Sequence, residues 1–198
     1  MCQILGMLNL FIIAGPNGAG KTTASYTILP DMLDCREFVN ADEIARGLSP
    51  FQSDKAGIDA GRLMLHRIKE LIKHKSEFAF ETTLSTRSYV NTIIKSKESG
   101  YFVTLVFFWL NSPALAIERV RNRVLEGGHD IPVDIIKRRY YSGVKNLFNL
   151  YIPISDYWMI IDNSENPFKF IAEGNSNIEK QIHDNDTWSK INQIAYGK

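Results

Sequence analysis

The chain has 198 residues, of which 44% are hydrophobic and 11% aromatic, a composition that can bury one sizeable core and predicts one domain. Its formal net charge of +1 excludes an overall electrostatic attraction to nucleic acid or to anionic membranes. The two cysteines, Cys2 and Cys35, match no metal-ligand spacing and are too few for a disulfide framework, which favours a reducing, cytoplasmic location.

No segment predicts a membrane span. The longest uninterrupted apolar run, residues 102–110, is well short of the roughly 18–20 residues that a bilayer crossing needs. The apolar N-terminal stretch lacks a basic leading region and a small-residue cleavage site, and it leads straight into a glycine-rich loop. We therefore expect a strand there rather than a signal peptide, and no membrane association.

Short apolar runs alternate with helical patterns along most of the chain. The runs are near-continuous, as in strands buried on both faces, and they cover residues 8–15, 37–40, 77–81, 102–110 and 157–162. Helical spacing of apolar side chains lies between them, most clearly in residues 60–75, 112–128 and 133–151. This alternation predicts an α/β fold in which helices cover both faces of a five-stranded, mainly parallel sheet, as one domain over residues 1–198.

The chain becomes polar from about residue 172 to residue 198. We predict a loosely held terminal helix or tail for this segment, with Trp188 as its anchor.

The first predicted strand runs directly into GPNGAGKTT, which completes the G-x-x-x-x-G-K-[ST] phosphate-loop pattern between a strand and a helix. In such a loop, backbone N–H groups and the helix N-terminus face the phosphates, Lys21 reaches the outer phosphates and the Thr22 hydroxyl binds Mg²⁺. The sequence therefore predicts a P-loop NTPase sandwich that binds a nucleoside triphosphate. The predicted nucleotide-binding residues are Gly15, Pro16, Asn17, Gly18, Ala19, Gly20, Lys21, Thr22 and Thr23.

A phosphate loop alone does not distinguish a GTPase, a motor, a transporter ATPase and a small-molecule kinase. The sequence has no N-K-x-D guanine-recognition segment and no L-S-G-G-Q signature, and its long fourth strand ends in no acid of the Walker B type. These absences favour a kinase.

Two acids, Asp42 and Glu81, do follow predicted strands, and the carboxyl ends of parallel strands line the ligand crevice. Phosphoryl transfer to a hydroxyl needs a carboxylate that orients and deprotonates the acceptor, so Asp42 is the predicted catalytic base. A helix N-cap is the alternative role for Asp42. Three roles stay open for Glu81: it binds the acceptor, contacts Mg²⁺ through water, or caps the following segment.

The cations that a kinase needs are concentrated in residues 119–139, which predict two helices joined by a glycine turn. Arg119 and Arg123 fall on one flank of the first helix, and Arg138 and Arg139 lie on the second. We predict a helical lid that closes over the phosphates, with a solvated basic face as the alternative. His129, in the turn, is expected to be structural.

The segments FIIAGPNGAGKTT, FVNADEIARGLSP, FAFETTLST and RVRNRVLEGGHDIPVDIIKRRY, with DNS at residues 162–164, resemble the zeta toxin family of P-loop kinases. The resemblance covers most of the chain. It implies the kinase-like strand order 2-3-1-4-5, ATP and Mg²⁺ as cofactors, UDP-N-acetylglucosamine as acceptor, and an antitoxin as a possible protein partner.

The same resemblance implies roles by position. Asp42 would be the base, and Lys21 and Thr22 would serve ATP and the metal. One arginine from each lid helix, Arg123 and Arg138, would embrace the transferring phosphate.

One segment departs from the family pattern, because residues 81–85 read E-T-T-L-S where zeta toxins read like E-G-T-L-R. Serine cannot clamp a diphosphate as arginine does, so an acceptor-side arginine is missing unless Arg87 replaces it. We predict that Glu81, Thr83 and Arg87 hold the acceptor.

These features together predict an ATP-dependent, Mg²⁺-requiring kinase of a small hydroxyl-bearing metabolite, with a nucleotide sugar as the candidate acceptor. One alternative is a polynucleotide kinase or nucleic-acid ATPase, suggested by the seven basic residues from Arg119 to Lys145. Nucleic acid is the less favoured partner because aromatic side chains do not interleave with these cations. The other alternative is a regulatory ATP-binding module of a toxin–antitoxin pair.

Overall fold

A computed structural model describes residues 7–52, 55–128, 130–175 and 180–197; Cys2 and His129 lie outside these ranges. The strands are β1 (Leu8–Ala14), β2 (Phe38–Val39), β3 (Phe78–Thr82), β4 (Tyr101–Trp109), β5 (Tyr157–Asp162), β6 (Lys169–Asn175) and β7 (Gln181–Ile182). The helices are α1 (Lys21–Met32), α2 (Ala41–Leu48), α3 (Gly57–Lys73), α4 (Val90–Glu98), α5 (Pro113–Leu125), α6 (Val133–Asn146) and α7 (Asn185–Tyr196). A π-helical turn, Leu147–Tyr151, and a 3-10 turn, Ile152–Ile154, continue α6.

The described strands form one sheet in the order β2-β3-β1-β4-β5-β6-β7. All pairings from β2 to β5 are parallel, so the predicted parallel α/β sheet and its order over the first five strands are confirmed. The prediction of five strands is wrong, because β6 and β7 extend the sheet with antiparallel pairings beyond β5.

Residues 172–175 of β6, strand β7 and helix α7 come from the segment expected to be a loosely held terminal helix or tail. Ile171 and Ala172 of β6 are buried, and α7 buries Thr187, Ile191 and Ala195. Those helical positions are spaced by four residues, so a single buried stripe holds α7 although its average composition is polar. Composition therefore concealed β6, β7 and the buried stripe of α7, whereas the terminal helix itself was one of the two predicted alternatives.

Strand β1 separates two hydrophobic cores, which explains its near-continuous apolar run. Leu10 and Ile12 face a core built with α3, α4 and α7, whereas Phe11 and Ile13 face a core built with α1 and α5. All four side chains are at most 5% exposed. Such burial on both faces fixes the strand that leads into the phosphate loop. None of the helices formed by the described residues has the length and apolar character needed to cross a bilayer.

Trp188 holds α7 against the sheet. Its ring stacks on Trp158 with centroids 6.1 Å apart and meets Phe148 edge-on at 5.3 Å. We expect Trp188→Ala to lower the free energy of unfolding by about 2–4 kcal/mol, because it removes a large ring from two aromatic contacts. Urea denaturation measures this change, with Ser189→Ala on the exposed side of the same helix as the control. Equal midpoints for the two variants would show that the aromatic contacts of Trp188 do not stabilise the fold.

Candidate active site

The phosphate loop turns sharply between β1 and α1. Gly15 has φ +142°, and a Cβ on it would lie 2.2 Å from the carbonyl oxygen of Phe108 in β4, so only glycine fits this close approach. Gly20 has φ +77° and precedes the first residue of α1 without a side-chain cap. The loop therefore presents backbone N–H groups at a helix N-terminus, which is the arrangement that binds phosphate.

Lys21 and Glu81 form a buried ion pair below this loop. Lys21 Nζ lies 3.5 Å from Glu81 Oε1, with side chains only 6% and 11% exposed, and it donates a 3.0 Å hydrogen bond to the carbonyl of Pro16. The other carboxylate oxygen, Glu81 Oε2, accepts hydrogen bonds from the Thr22 hydroxyl at 2.7 Å and from Asn40 Nδ2 at 2.9 Å. Glu81 thus connects β3 to the phosphate loop and caps nothing that the structure describes.

Asn40 was absent from the predicted site, yet it connects the phosphate loop to the candidate base. Its Oδ1 accepts hydrogen bonds from the backbone N–H groups of Asp42, at 2.8 Å, and Glu43, at 3.4 Å, and so caps α2. The alternative role of Asp42 as the N-cap is therefore filled by Asn40. Asparagine is a preferred N-cap residue and directly follows β2, a signal that could have identified it.

Asp42 faces the lid helices instead. Its Oδ2 lies 3.8 Å from Arg123 Nη1 on α5, and its side chain is 50% exposed. This position leaves a carboxylate beside the cleft with room for a hydroxyl group to approach.

Helix α5, the first helix of the predicted lid, is bounded by a cap and a glycine turn and is held by Arg119. Ser112 accepts a hydrogen bond from the Leu115 N–H at 3.2 Å, and Gly127 follows the helix with φ +84°. Arg119 donates two 2.8 Å hydrogen bonds, from Nη1 to the Asn163 carbonyl and from Nη2 to the Ser164 carbonyl. This contact fixes α5 to the loop after β5.

That loop also holds the phosphate loop. Asn163 Nδ2 donates a 2.8 Å hydrogen bond to the carbonyl of Ala19, while Asp162 Oδ1 accepts one from the Ser164 N–H at 2.8 Å. Asn163 was not among the predicted site residues. Two sequence signals pointed to it: its place directly after β5 and the DNS segment that resembles the family.

The second lid helix contributes Arg139 to the cleft rather than Arg138. Arg139 is half-buried and donates a 3.5 Å hydrogen bond to Asn17 Oδ1, whereas Arg138 is exposed and does not line the cleft. Burial lowers the pKa of Arg139, although the nearby Asp42 carboxylate opposes that shift. Arg139 is therefore the cation of α6 that lines the cleft, whereas the assignment of Arg138 to the phosphate stays a prediction that its exposed position does not support.

A cleft of about 480 Å³ lies between the phosphate loop and these helices. Its lining includes the predicted residues Lys21, Thr22, Thr23, Asp42, Glu81, Thr83 and Arg123. Ser85, Thr86 and Tyr89 from the β3–α4 connection also line it, whereas Arg87 is exposed and does not. The structure thus brings base, loop and lid together but leaves the predicted acceptor residue Arg87 outside.

Thr22 and Glu81 fit a Mg²⁺ ion that is bound together with a triphosphate. Hydroxyl and carboxylate oxygens are the hard ligands that Mg²⁺ prefers, and these two lie 2.7 Å apart at the start of α1.

A phosphate loop between β1 and α1, strand-end carboxylates and an arginine-bearing helical hairpin define a P-loop kinase fold. The chain belongs to the zeta toxin family, whose model matches residues 9–152. An uncharacterized protein of Haemophilus influenzae is 34% identical over 126 residues, which are 64% of this chain and 88% of that protein.

Solved structures share the fold. The AvrRxo1-ORF1:AvrRxo1-ORF2 complex with sulphate ions contains a chain with a TM-score of 0.75 at 17% identity, over 93% of this chain and 63% of that one. This chain therefore spans less than two thirds of that relative. A chain of the PezAT chromosomal toxin–antitoxin system of Streptococcus pneumoniae has a TM-score of 0.65 at 15% identity, over 98% and 80% of the two chains.

Proposed function

We propose that the protein is an ATP-dependent, Mg²⁺-requiring kinase that transfers the γ-phosphoryl group to a hydroxyl of a small molecule. The observation that carries this proposal is the position of the Asp42 carboxylate. Asn40, not Asp42, caps α2, and the Asp42 carboxylate lies 3.8 Å from Arg123 beside the phosphate loop. Membership of the zeta toxin family and the P-loop kinase fold support the same chemistry.

In the proposed reaction, the acceptor hydroxyl oxygen forms a bond to the γ-phosphorus as the bond between that phosphorus and the ADP oxygen breaks. ADP leaves, and the hydroxyl proton passes to the Asp42 carboxylate. Lys21, Arg123 and Arg139 place positive charge around the transferring group, where negative charge spreads in the transition state. Mg²⁺, when bound, would neutralise charge on the β- and γ-phosphate oxygens.

A nucleotide sugar, UDP-N-acetylglucosamine in particular, is the candidate acceptor that the family resemblance suggests. Mass spectrometry tests this acceptor and the kinase proposal together, on protein incubated with ATP, Mg²⁺ and a panel of nucleotide sugars, sugars, nucleosides and short oligonucleotides. A product heavier by one phosphoryl group, absent with Lys21→Ala, is expected. Hydrolysis of ATP with no phosphorylated product from any panel member would contradict the kinase assignment.

An antitoxin is the candidate protein partner. AvrRxo1-ORF1 was crystallised with AvrRxo1-ORF2, and PezAT is a toxin–antitoxin system. These two similar structures support the proposal that this chain also binds a partner protein. A regulatory module of such a pair would bind ATP without forming product and would lose ATP access when the partner binds. A nucleic-acid ATPase would instead show binding to oligonucleotides that falls steeply with salt.

The two adjacent lid arginines offer a direct comparison. We expect Arg139→Ala to lower kcat at least about tenfold, because it removes a half-buried cation from the cleft. Arg138→Ala, which removes an exposed cation from the next position, is expected to cost less. Steady-state ADP release with the acceptor found above measures both. A larger loss for Arg138→Ala would mean that the lid rotates on closure.

A further inference from the structure

Most positively charged side chains of the cleft lie on the side of the phosphate loop and of the loop after β5. Its cations Lys21, Arg119 and Arg139 contact the phosphate loop or the loop after β5, through hydrogen bonds to Pro16, to Asn163 and Ser164, and to Asn17. Arg123 lies at the boundary, beside Asp42. The remaining lining from α2, α3 and the β3–α4 connection is uncharged apart from Asp42 and consists of Ala41, Met64, Thr83, Ser85, Thr86 and Tyr89.

Contacts with α6 and with the π-helical turn hold the backbone of the β3–α4 connection, and this decides which of its side chains line the cleft. Leu84 is fully buried at φ +53°, and its carbonyl accepts a 2.7 Å hydrogen bond from Asn146 Nδ2 of α6. The Thr86 carbonyl accepts a 2.6 Å hydrogen bond from the Tyr151 hydroxyl. With the backbone held on both sides, Ser85 lines the cleft and the next cation, Arg87, is exposed.

The wall of this region suits a ring rather than a phosphate. Tyr89 lies against Phe80, with centroids 4.9 Å apart and an angle of 33° between rings, and its hydroxyl donates to Met64 Sδ at 3.4 Å. Burial raises the pKa of Tyr89, so the phenol stays neutral. The hydroxyls of Thr83 and Ser85, 2.9 Å apart, offer neutral hydrogen-bonding groups.

From this distribution we infer that the acceptor is a hydroxyl compound without phosphate, of the size of a sugar or nucleoside, whose ring lies against Tyr89. The inference rests on the proposed kinase reaction, and it replaces the nucleotide-sugar acceptor that the family resemblance suggests with a phosphate-free one. A diphosphate placed against this wall would lose its hydration and would lie near the Asp42 carboxylate. The cation beside it, Arg123, already lies 3.8 Å from that carboxylate, so the arrangement is costly. The transfer is the one given above: the new O–P bond forms on the sugar or nucleoside hydroxyl, ADP leaves, and Asp42 takes the proton.

The test uses matched acceptors with the full-length protein, ATP and Mg²⁺: N-acetylglucosamine against UDP-N-acetylglucosamine, and uridine against UDP. We expect kcat/KM to be at least about tenfold higher for the phosphate-free member of a pair that reacts. Comparison of the sugar pair with the nucleoside pair shows whether the acceptor ring is a sugar or a nucleoside. Ser85→Arg, which adds a cation to the lining, is expected to reduce or reverse the preference, whereas the matched control Ser88→Arg adds the same charge on an exposed residue outside the cleft and leaves it unchanged.

A higher kcat/KM for the diphosphate members would overturn the inference while leaving the kinase proposal intact, and loss of that activity in Arg87→Ala would identify Arg87 as the clamp. Calorimetric binding of the same pairs to Asp42→Asn, in the presence of Mg²⁺ and a non-hydrolysable ATP analogue, reports acceptor choice without transfer. Preference there for the phosphate-free members supports the inference even if turnover is slow. Binding of neither member of any pair, or tighter binding of the diphosphates, overturns it.

Discussion

Asp42→Asn is expected to reduce kcat by about 10²–10⁴-fold while leaving the affinity for ATP unchanged. The substitution keeps the shape of the side chain and its place beside Arg123 but removes the carboxylate that we propose takes the acceptor proton. The phosphate loop and the Lys21–Glu81 pair stay intact, so the triphosphate still binds. Single-turnover transfer of labelled phosphoryl groups measures kcat, and calorimetry measures ATP binding.

Glu43→Gln is the matched control for this prediction. Glu43 is the next residue of α2 and pairs with Arg46 at 3.2 Å on the surface, so the variant removes the same charge from the same helix turn. Both acids lie near the helix N-terminus and contribute similarly to its stability. Equal losses of kcat in the two variants would show that charge at the start of α2, and not a base, is what matters.

Lys21→Ala is expected to lower kcat by at least about 10²–10³-fold, because we propose that this lysine is the cation that reaches the outer phosphates. The variant also leaves the carboxylate of Glu81, which is 11% exposed, without its buried counter-ion. We therefore expect the free energy of unfolding to fall by about 1–3 kcal/mol as well. ADP release and urea denaturation measure the two effects.

A second variant separates catalysis from folding. Lys21→Met/Glu81→Gln removes both charges and keeps the volume of both side chains, so stability is expected to return toward that of the wild type while activity stays lost. Recovery of turnover in this double variant would mean that Lys21 acts only by holding Glu81 in place, and its assignment to the phosphates would then be wrong.

Much of the fold followed from local patterns. The run from Leu8 to Ala14 predicted a central strand because both of its faces are buried, and the phosphate loop was recognisable because its glycines and Lys21 occupy fixed spacings. The edge elements did not follow. Strand β6 buries Ile171 and Ala172 and neither residue of β7 is buried, so the polar average of this segment concealed both strands. The terminal helix was one of the two predicted alternatives, but the buried stripe that holds α7 to the core was not predicted.

The sequence by itself determined the P-loop class, the parallel core and the acids at the strand ends, since each depends on neighbours within a few residues. Only the tertiary structure decided which side chains meet in the cleft: Arg139 enters it in place of Arg138, and Ser85 faces it while Arg87 does not. The physical reason is that such choices depend on backbone direction at turns, which is set by distant contacts. For the β3–α4 connection, those contacts are the hydrogen bonds from Asn146 and Tyr151.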